Sequence, residues 1–327
     1  MKNVMTVQGP VAPESLGFCQ SHEHLMLTKG VSWEKNPVLL IDDVEKSTQE
    51  ASRLINAGGG TIVDAQPGGC NRAEGALLAI SRKTGLHIVA STGFHKLCFY
   101  PSGHWLYTKT EEEIFSVFYH ELTEGMYTNI DDRFHPDTIS AKAGIVKMAL
   151  DCEGLTPVYR KLFSAGAAAS VKACVPVMVH IEQDADPLSL FHFLKAQGVM
   201  PQHMIFCHLD RAIQDLSIHK ELLKEGVVLE YDTIGRFKYH SDMREIEIFL
   251  SMLEDGYESQ LLFSLDTTRA RLKSYDKNGV GLDYLLTTFV PLMKKNGITI
   301  EQIRKISHDN FVRVFTQMNG ENYYEYK

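Results

Sequence analysis

The chain has 327 residues, a length that fits either two domains or one α/β barrel with long loops. Hydrophobic residues make up 44% of the sequence and charged residues 23%, proportions that exclude a disordered chain and allow a large buried core. The formal net charge of -8 argues against a general nucleic-acid-binding surface, which needs clustered Lys and Arg, so a small-molecule partner is expected.

Cysteine spacing and hydropathy predict the compartment. The 6 cysteines are widely spread and form no CxxC pair, so we expect them to be reduced. Residues 1–10 lack the apolar core and cleavage site of a signal peptide, and no apolar run reaches membrane-spanning length. These features predict a cytoplasmic protein without membrane association.

Short apolar segments rich in β-branched residues alternate along the chain with longer stretches of helical period. The predicted strands are Gly17–His22, Gly60–Ala65, Leu86–Thr92, Ala143–Leu150, Pro176–Glu182, Met204–His208, Val227–Asp232 and Leu261–Asp266. Apolar residues three and four apart predict helices between them, among them Val44–Ala57, Arg72–Thr84, Thr156–Ala173, Pro187–Gln197 and Asp215–Glu225.

This alternation predicts an α/β fold with a parallel sheet, because continuous apolar strands are buried on both faces and βα units cross over with one hand. Eight units suggest a closed (β/α)8 TIM barrel. The alternative, a doubly wound open sheet, would place a glycine-rich phosphate loop after the first strand, where the chain instead has His22-Glu23-His24. No linker interrupts the pattern, so residues 1–327 are predicted to form a single domain.

Side chains that can bind metal ions lie at the ends of several predicted strands, the part of such a barrel that holds the active site. His22 and His24 are two residues apart and therefore on one side of an extended chain, so both can reach one ion. The other candidates follow or interrupt later strands: Lys147, His180, His208 and Asp266.

Each candidate taken singly has an ordinary structural explanation. His22 and His24 fit an exposed pair, and Asp266 fits a helix cap. His180 and His208, at the ends of apolar runs, fit hydrogen-bonded core residues. Six ligand-type side chains at the ends of five strands are much less easily explained by chance, so together they predict a metal site.

Lys147 is the most informative of these residues because it interrupts the apolar run Ala143–Leu150. A buried ammonium group is unfavourable unless something neutralises it. A salt bridge with a buried carboxylate is one explanation. The other is reaction of the deprotonated amine with CO₂, which gives a carbamate that can bridge two cations.

The order and context of these motifs resemble the phosphotriesterase-related family of the amidohydrolase superfamily over nearly the whole chain. The matching segments are Val7–Pro10, Ser21–Leu25, Ala143–Lys147, Val175–His180, Cys207–Asp210, Ser264–Asp266 and the helix around Asn310-Phe311. The resemblance implies a barrel hydrolase and makes a homodimer the expected assembly.

The resemblance further implies a binuclear centre with two divalent metal ions. The ligands would divide into His22, His24 and Asp266 for the more buried ion, His180 and His208 for the more exposed ion, and carbamylated Lys147 with a hydroxide between the two. Cations that share a water lower its pKa and polarise a substrate oxygen. Asp266 would also be the catalytic base that passes the proton to the leaving group. Zinc is the default expectation, although such ligands suit manganese and cobalt as well.

Basic residues beyond the last two strands indicate an anionic substrate. Gly235–Tyr239 and Leu265–Arg269 resemble a bacterial subgroup of the family that is similar to lactonases of phosphorylated sugars. The last two loops of such barrels often form a phosphate site, which lysine and arginine suit. We expect Lys238 and Arg269 to contact phosphate, with Tyr275 as a further candidate; the alternative is that these are solvated loop charges.

These features predict a metal-dependent hydrolase that opens phosphorylated sugar lactones by attack of the bridging hydroxide. The alternatives are a phosphotriesterase or other carboxylic ester hydrolase with the same site and, from a different class, an inactive metal-binding scaffold. Asp210-Arg211 replaces the acidic run found in dedicated phosphotriesterases, which weakens an organophosphate-specialist interpretation. The segment Phe94–Tyr107 is expected either to cover the site or to pack as an ordinary loop.

Overall fold

Ten strands are present in the computed structural model, which describes residues 3–316. A short antiparallel hairpin comes first, and eight parallel strands follow. In chain order the strands are β1 Val4–Thr6, β2 Gly9–Val11, β3 Phe18–Glu23, β4 Gly59–Asp64, β5 His87–Gly93, β6 Ala143–Leu150, β7 Val177–Ile181, β8 Met204–Cys207, β9 Val228–Tyr231 and β10 Leu261–Phe263.

Helices connect and cover the strands. The α-helices are α1 Val31–Lys35, α2 Val44–Asn56, α3 Glu74–Thr84, α4 Trp105–Thr108, α5 Glu111–Thr123, α6 Pro157–Ala173, α7 Pro187–Ala196, α8 Leu209–Ala212, α9 Leu216–Lys224, α10 Asp242–Glu254, α11 Val290–Lys295, α12 Ile300–Arg304 and α13 Asn310–Phe315. Two π-helical turns, Leu285–Phe289 and Lys305–Asp309, lead into α11 and α13. Across the described residues, none of these helices combines the length and apolarity needed to cross a membrane.

The order of the strands in the sheet follows the chain from β3 to β10, and each strand runs parallel to the next. Main-chain and side-chain hydrogen bonds close the remaining gap between the first and last strands of the sheet. Asp266 N donates to His22 O over 3.0 Å, and Ser21 Oγ donates to Phe263 O over 3.2 Å. The predicted (β/α)8 barrel is therefore confirmed, whereas the assignment of residues 1–327 to one domain stays a prediction.

The predicted strands correspond one to one with β3 to β10, and β6 has the predicted bounds. The largest difference is at the last strand, where Leu261–Asp266 is longer than β10. Asp266 has a φ of +47°, in the left-handed region, and an extended strand cannot continue through that conformation. The strand ends at Phe263, and its metal-ligand candidate lies in the irregular segment that follows β10.

The barrel interior is filled by apolar side chains from alternate positions of the strands, including Cys19, Val63 and Ile145. Phe311 and Phe315 of α13 stack with ring centroids 4.1 Å apart and belong to the same buried cluster. A second, larger cluster lies between the strands and the helices. Metal-binding side chains are thus left to the opposite, carboxyl end of the strands.

Two long helices, α5 and α10, were not among the segments named from the sequence. Helix α5 begins with a capping box, in which Thr110 and Glu113 bind each other's main-chain N–H groups. It packs against α6, which begins at Pro157 after its N-cap Thr156. Helices α5, α6 and α10 lie on the outside of the barrel and do not carry the predicted ligands.

A buried ion pair ties the loop after β4 to α5. Arg72 and Glu121 are almost inaccessible to solvent, and their Nη2 and Oε1 atoms are 2.6 Å apart. Arg72 also donates to Ser91 O, on β5, over 2.8 Å. This arginine therefore connects three parts of the barrel wall.

We expect Arg72→Met to lower the free energy of unfolding by about 3–5 kcal/mol, because it leaves the buried Glu121 carboxylate without its cation. Urea denaturation measures this. The matched control is Lys83→Met, which removes an exposed pair with Glu45 and should cost about 0–1 kcal/mol. Equal losses for the two variants would contradict the structural role given to Arg72.

Candidate metal centre

A cavity of about 360 Å³ opens at the carboxyl end of the barrel strands. Its wall includes five of the six predicted metal ligands: His22, His24, His180, His208 and Asp266. The sixth, Lys147, contacts one of them from below. The structure therefore brings all six predicted ligands to one place, from the ends of five strands.

The four imidazole rings form a continuous series of contacts. Their centroids are 5.7 Å apart for His22 and His24, 4.8 Å for His22 and His208, and 4.4 Å for His208 and His180. Asp266 closes the group, since its Oδ1 lies 3.4 Å from His24 Nε2 and 3.8 Å from His22 Nε2. Ligand atoms of His22, His24 and Asp266 all lie within 4.8 Å of one another, a spacing suited to one shared ion.

Lys147 lies inside the barrel, on the same side of β6 as Ile145, and is fully buried. Its Nζ is 3.0 Å from His22 Nε2. No carboxylate oxygen of residues 3–316 lies within 4.0 Å of this amine, so the salt bridge considered from the sequence is not formed in that part of the chain. Within the described residues, burial of this amine is thus not compensated by an acidic neighbour.

Gly93 at the end of β5 allows the main chain at Lys147 to be this close. Its φ is +111°, and a Cβ at that position would lie 1.9 Å from the carbonyl oxygen of Lys147. Only glycine fits this approach. Phe94 N then donates to the same carbonyl over 2.9 Å, which fixes the lysine at the barrel end.

Burial affects the protonation of the histidines. Burial and the charges of Arg211 and Lys147 lower the pKa of His180 to about 3, against the hydrogen bond with Glu182. Burial, Arg211 and His180 likewise hold the pKa of His208 well below its ordinary value. Both rings are therefore neutral near pH 7, the form in which an imidazole nitrogen can bind a metal ion.

Two buried carboxylates, which were not selected from the sequence, hold the rings from behind. His22 Nδ1 donates to Glu230 Oε2 over 2.9 Å, and His208 Nδ1 donates to Asp232 Oδ1 over 2.6 Å. Such carboxylates orient metal-bound imidazoles and set their tautomer. The signal was present in the sequence, since Glu230 and Asp232 stand two residues apart in the otherwise apolar seventh predicted strand, and the thiol of Cys207 also donates to Glu230.

These contacts also change the pKa of His22. Burial and the neighbouring Lys147 lower it, but the hydrogen bonds with Asp232 and Glu230 outweigh both and raise the pKa to about 9. The Nδ1–H is thereby held by the carboxylates, and the Nε2 atom faces the cavity and Lys147.

The predicted substrate-binding residues are not all found in the cavity wall. Lys238 lines the cavity. Arg269 instead donates to Leu40 O and pairs with Asp42 over 3.1 Å, and it is not among the lining residues. Tyr275 also lies outside the wall, where its hydroxyl donates to Asp43 O over 2.7 Å.

Four cations that were not proposed as substrate contacts do line the cavity: Lys96, Arg211, Arg236 and Arg271. Lys96 pairs with Glu182 over 2.6 Å, and Arg236 pairs with Asp266 over 2.8 Å. With Lys238 they give the cavity wall five Lys and Arg side chains, of which Lys96, Arg211 and Arg236 have carboxylate partners. Their sequence signal was weak, because isolated basic residues in loops are common.

The segment Phe94–Tyr107 is divided between the cavity wall and the core, and its covering of the site stays a prediction. His95, Lys96 and Phe99 line the cavity, whereas Trp105 and Leu106 are buried in the core. The first half of this segment therefore forms part of the wall, and the second half packs beneath it.

The donor set of this cluster fits divalent metal ions. It combines four imidazoles and a carboxylate at one cavity with a buried amine beneath them that has no acidic partner among residues 3–316. Imidazole and carboxylate groups are common ligands of zinc and of similar first-row metals. The fold and the cluster together define the class of this protein: a (β/α)8 barrel with a candidate metal centre at the carboxyl ends of its strands.

The chain belongs to the phosphotriesterase family, whose model matches residues 2–315. The resemblance seen in the sequence is thereby confirmed. A phospho-furanose lactonase of Mycoplasmopsis agalactiae is 29% identical over 94% of this chain and 90% of its own length.

Solved structures agree with this assignment. A lactonase from Listeria monocytogenes superposes with a TM-score of 0.88 and 27% identity, over 97% of this chain and all of its own. The phosphotriesterase homology protein of Escherichia coli, complexed with phosphate in its active site, gives a TM-score of 0.84 and 25% identity over 94% of this chain and 100% of that one.

We expect Lys147→Met to abolish high-affinity binding of divalent metal, because it removes the residue at the middle of the ligand cluster. Elemental analysis of the purified protein measures metal per chain, and circular dichroism checks the fold. Lys195→Met, at an exposed pair with Glu225, is the control and should retain the wild-type metal content. Full metal content in a folded Lys147→Met variant would exclude Lys147 as a ligand.

Proposed function

We propose that this protein is a metal-dependent lactonase that opens phosphorylated sugar lactones. It is an enzyme acting on ester bonds, as its family and its named relatives indicate. The observation that carries the proposal is that one cavity is lined by five of the six predicted metal ligands and by several basic side chains, with Lys147 in contact with His22 beneath it. The metal ligands suit ester hydrolysis, and the basic side chains suit an anionic substrate.

Two divalent metal ions, with zinc as the first candidate, would be held by six side chains. His22, His24 and Asp266 would bind one ion, His180 and His208 the other, and Lys147 would lie between them. When bound, such ions supply a water of lowered pKa and polarise the carbonyl oxygen of the ester.

Lys147 is proposed to carry a carbamate formed from CO₂. The ammonium group first loses one proton; the neutral amine then adds to the carbon of CO₂ and releases a second proton, so a cationic side chain becomes an anionic carbamate. Two features support this: the amine is buried without a described carboxylate beside it, and it faces the imidazole of His22. Metal cations would compensate the charge of the anionic carbamate, whereas they would repel an ammonium group.

Asp266 is the proposed catalytic base. Water adds to the lactone carbonyl carbon, the ring C–O bond breaks, and the products are a carboxylate and an alcohol. The carboxylate of Asp266 would take the proton from the attacking water and pass it to the departing ring oxygen. Its Oδ1 faces the imidazoles and its Oδ2 faces the side of the cavity that Arg236 lines, so it stands between the metal centre and the substrate space.

The basic wall would select the anionic group of the substrate. Lys238 is the proposed phosphate contact, and its position in the cavity wall supports this. Arg269 and Tyr275 remain proposed contacts only if they leave their bonds to Asp42 and Asp43 when substrate binds. A small-molecule anion as substrate, a homodimer and a cytoplasmic location complete the proposal.

A screen of the metal-loaded protein distinguishes this proposal from its alternatives. The substrates are sugar lactones with and without phosphate, an aryl phosphotriester and a simple carboxylic ester, with proton release as the readout. Preference for phosphorylated lactones supports the proposal. Preference for the phosphotriester would favour the second candidate, and no turnover of any ester would favour an inactive metal-binding scaffold.

We expect Asp266→Asn to lower kcat by about a hundredfold to ten-thousandfold, because an amide cannot accept the proton. Metal content should fall much less, since the amide oxygen keeps a neutral ligand at the site. Steady-state kinetics and elemental analysis on the same preparation measure the two effects. Near-normal turnover would refute the assignment of Asp266 as base.

We expect Lys238→Ala to lower kcat/KM for a phosphorylated lactone by about tenfold to a hundredfold, because the variant loses one hydrogen bond to a charged group. The same lactone without phosphate should be affected less than about twofold. Lys220→Ala, at a surface pair with Asp255, is the control. Equal losses for the two substrates would rule out a phosphate contact at Lys238.

A further inference from the structure

The two carboxylate oxygens of Asp266 have different neighbours. Oδ1 faces the histidines, at 3.4 Å from His24 Nε2 and 3.8 Å from His22 Nε2. Oδ2 faces away from them and lies 2.8 Å from Nη1 of Arg236. The orientation of this carboxylate is therefore determined by one arginine on one side and by the ligand cluster on the other.

Arg236 also holds the main chain of Asp266. Its Nη2 donates to the carbonyl oxygen of Asp266 over 2.5 Å, while Asp266 N donates to His22 O over 3.0 Å. Asp266 has a φ of +47°, a conformation that is unfavourable for a residue with a Cβ. Hydrogen bonds at both ends of the residue keep it in this conformation.

A planar guanidinium can hold the carboxylate and the main chain of Asp266 together, and an ammonium group cannot. Arginine presents several N–H donors in a rigid fork, so one side chain reaches the carboxylate and the carbonyl of the same residue. A lysine would make a single, rotatable contact. The arrangement thus depends on arginine specifically, and not only on positive charge.

The loop that carries Arg236 is itself braced. Gly235 N donates to Asp242 Oδ1 over 2.8 Å, and Arg236 N donates to Thr233 O over 3.0 Å. The buried Arg271 donates to the carbonyl oxygens of Ile234 and Leu265, which stand directly before Gly235 and Asp266. The two loops are therefore fixed to each other, and the main chain that carries the Arg236 side chain is held in place.

We infer that Arg236 is a positioning residue for Asp266, holding its carboxylate with Oδ1 directed at the metal centre. This inference rests on the proposed function and divides the basic wall by role. Lys238 acts on the anionic group of the substrate, and Arg236 acts through Asp266. Because Asp266 serves every ester that enters the cavity, the effect of Arg236 does not depend on the charge of the substrate.

The test uses Arg236→Met and Arg236→Lys in the full-length, metal-loaded enzyme. We expect kcat to fall by about tenfold to a hundredfold in both variants, because small displacements of a reacting group have effects of that size. The loss should be equal for a phosphorylated lactone and its unphosphorylated counterpart, with KM of the latter unchanged within about threefold. Guanidinium ion added to a third variant, Arg236→Ala, should restore part of its lost kcat, which a general loss of structure would not allow.

A second readout needs no substrate. Release of metal to a chelator should be faster by about tenfold in Arg236→Met than in the wild type, since groups that orient a ligand affect metal affinity to that extent. Arg244→Met, at an exposed pair with Glu247 on α10, is the control and should behave like the wild type.

Two results would overturn the inference: kcat within twofold of the wild type together with unchanged metal release, or a loss confined to KM of the phosphorylated lactone. The second result would make Arg236 a substrate contact. If the wild type opens no lactone, the proposed function fails, and the metal-release comparison still decides whether Arg236 holds Asp266.

Discussion

The arrangement of this site depends on a lysine amine buried inside a barrel without a carboxylate beside it in the described chain. The interior positions of β6 point into the core, so Lys147 cannot reach solvent without leaving the strand. An ammonium group in such a place needs anions around it. The structure places the imidazole of His22 there instead, an arrangement that supports the carbamate proposed for Lys147.

Carboxylates are present nearby, but they are bound to the histidines and not to the lysine. Glu230 and Asp232 bind the Nδ1 atoms of His22 and His208, on the side away from the cavity. This arrangement turns the Nε2 atom of His22 toward the cavity and Lys147. The carboxylates that could have formed a salt bridge with Lys147 therefore orient the histidines instead.

The proposed metal ligands and the basic residues of the cavity wall lie in different parts of the barrel. The ligand cluster is attached to strand ends, where hydrogen bonds between neighbouring strands fix positions closely. The basic residues lie in loops, which vary most readily between proteins of one fold. This separation explains how one family holds proteins named for lactones and for phosphotriesters on the same scaffold.

The sequence by itself was sufficient to predict the barrel and the six clustered side chains, because both depend on short-range patterns. Alternating strands and helices leave few topologies, and residues at strand ends of a parallel barrel must meet at one rim. Even Lys147 could be selected from a single interrupted apolar run. The family resemblance rested on the same local motifs.

Tertiary structure alone decided which carboxylates and cations accompany those residues. Glu230, Asp232 and Arg236 join His22, His208 and Asp266 over long distances in the sequence, and nothing in their local context shows which partner they take. Arg269 and Tyr275 illustrate the converse, since a basic or aromatic residue in the expected loop can turn toward Asp42 and Asp43 instead of the cavity. The reason is physical: strand periodicity determines the direction of a side chain, whereas a loop side chain follows whichever neighbours the folded chain places beside it.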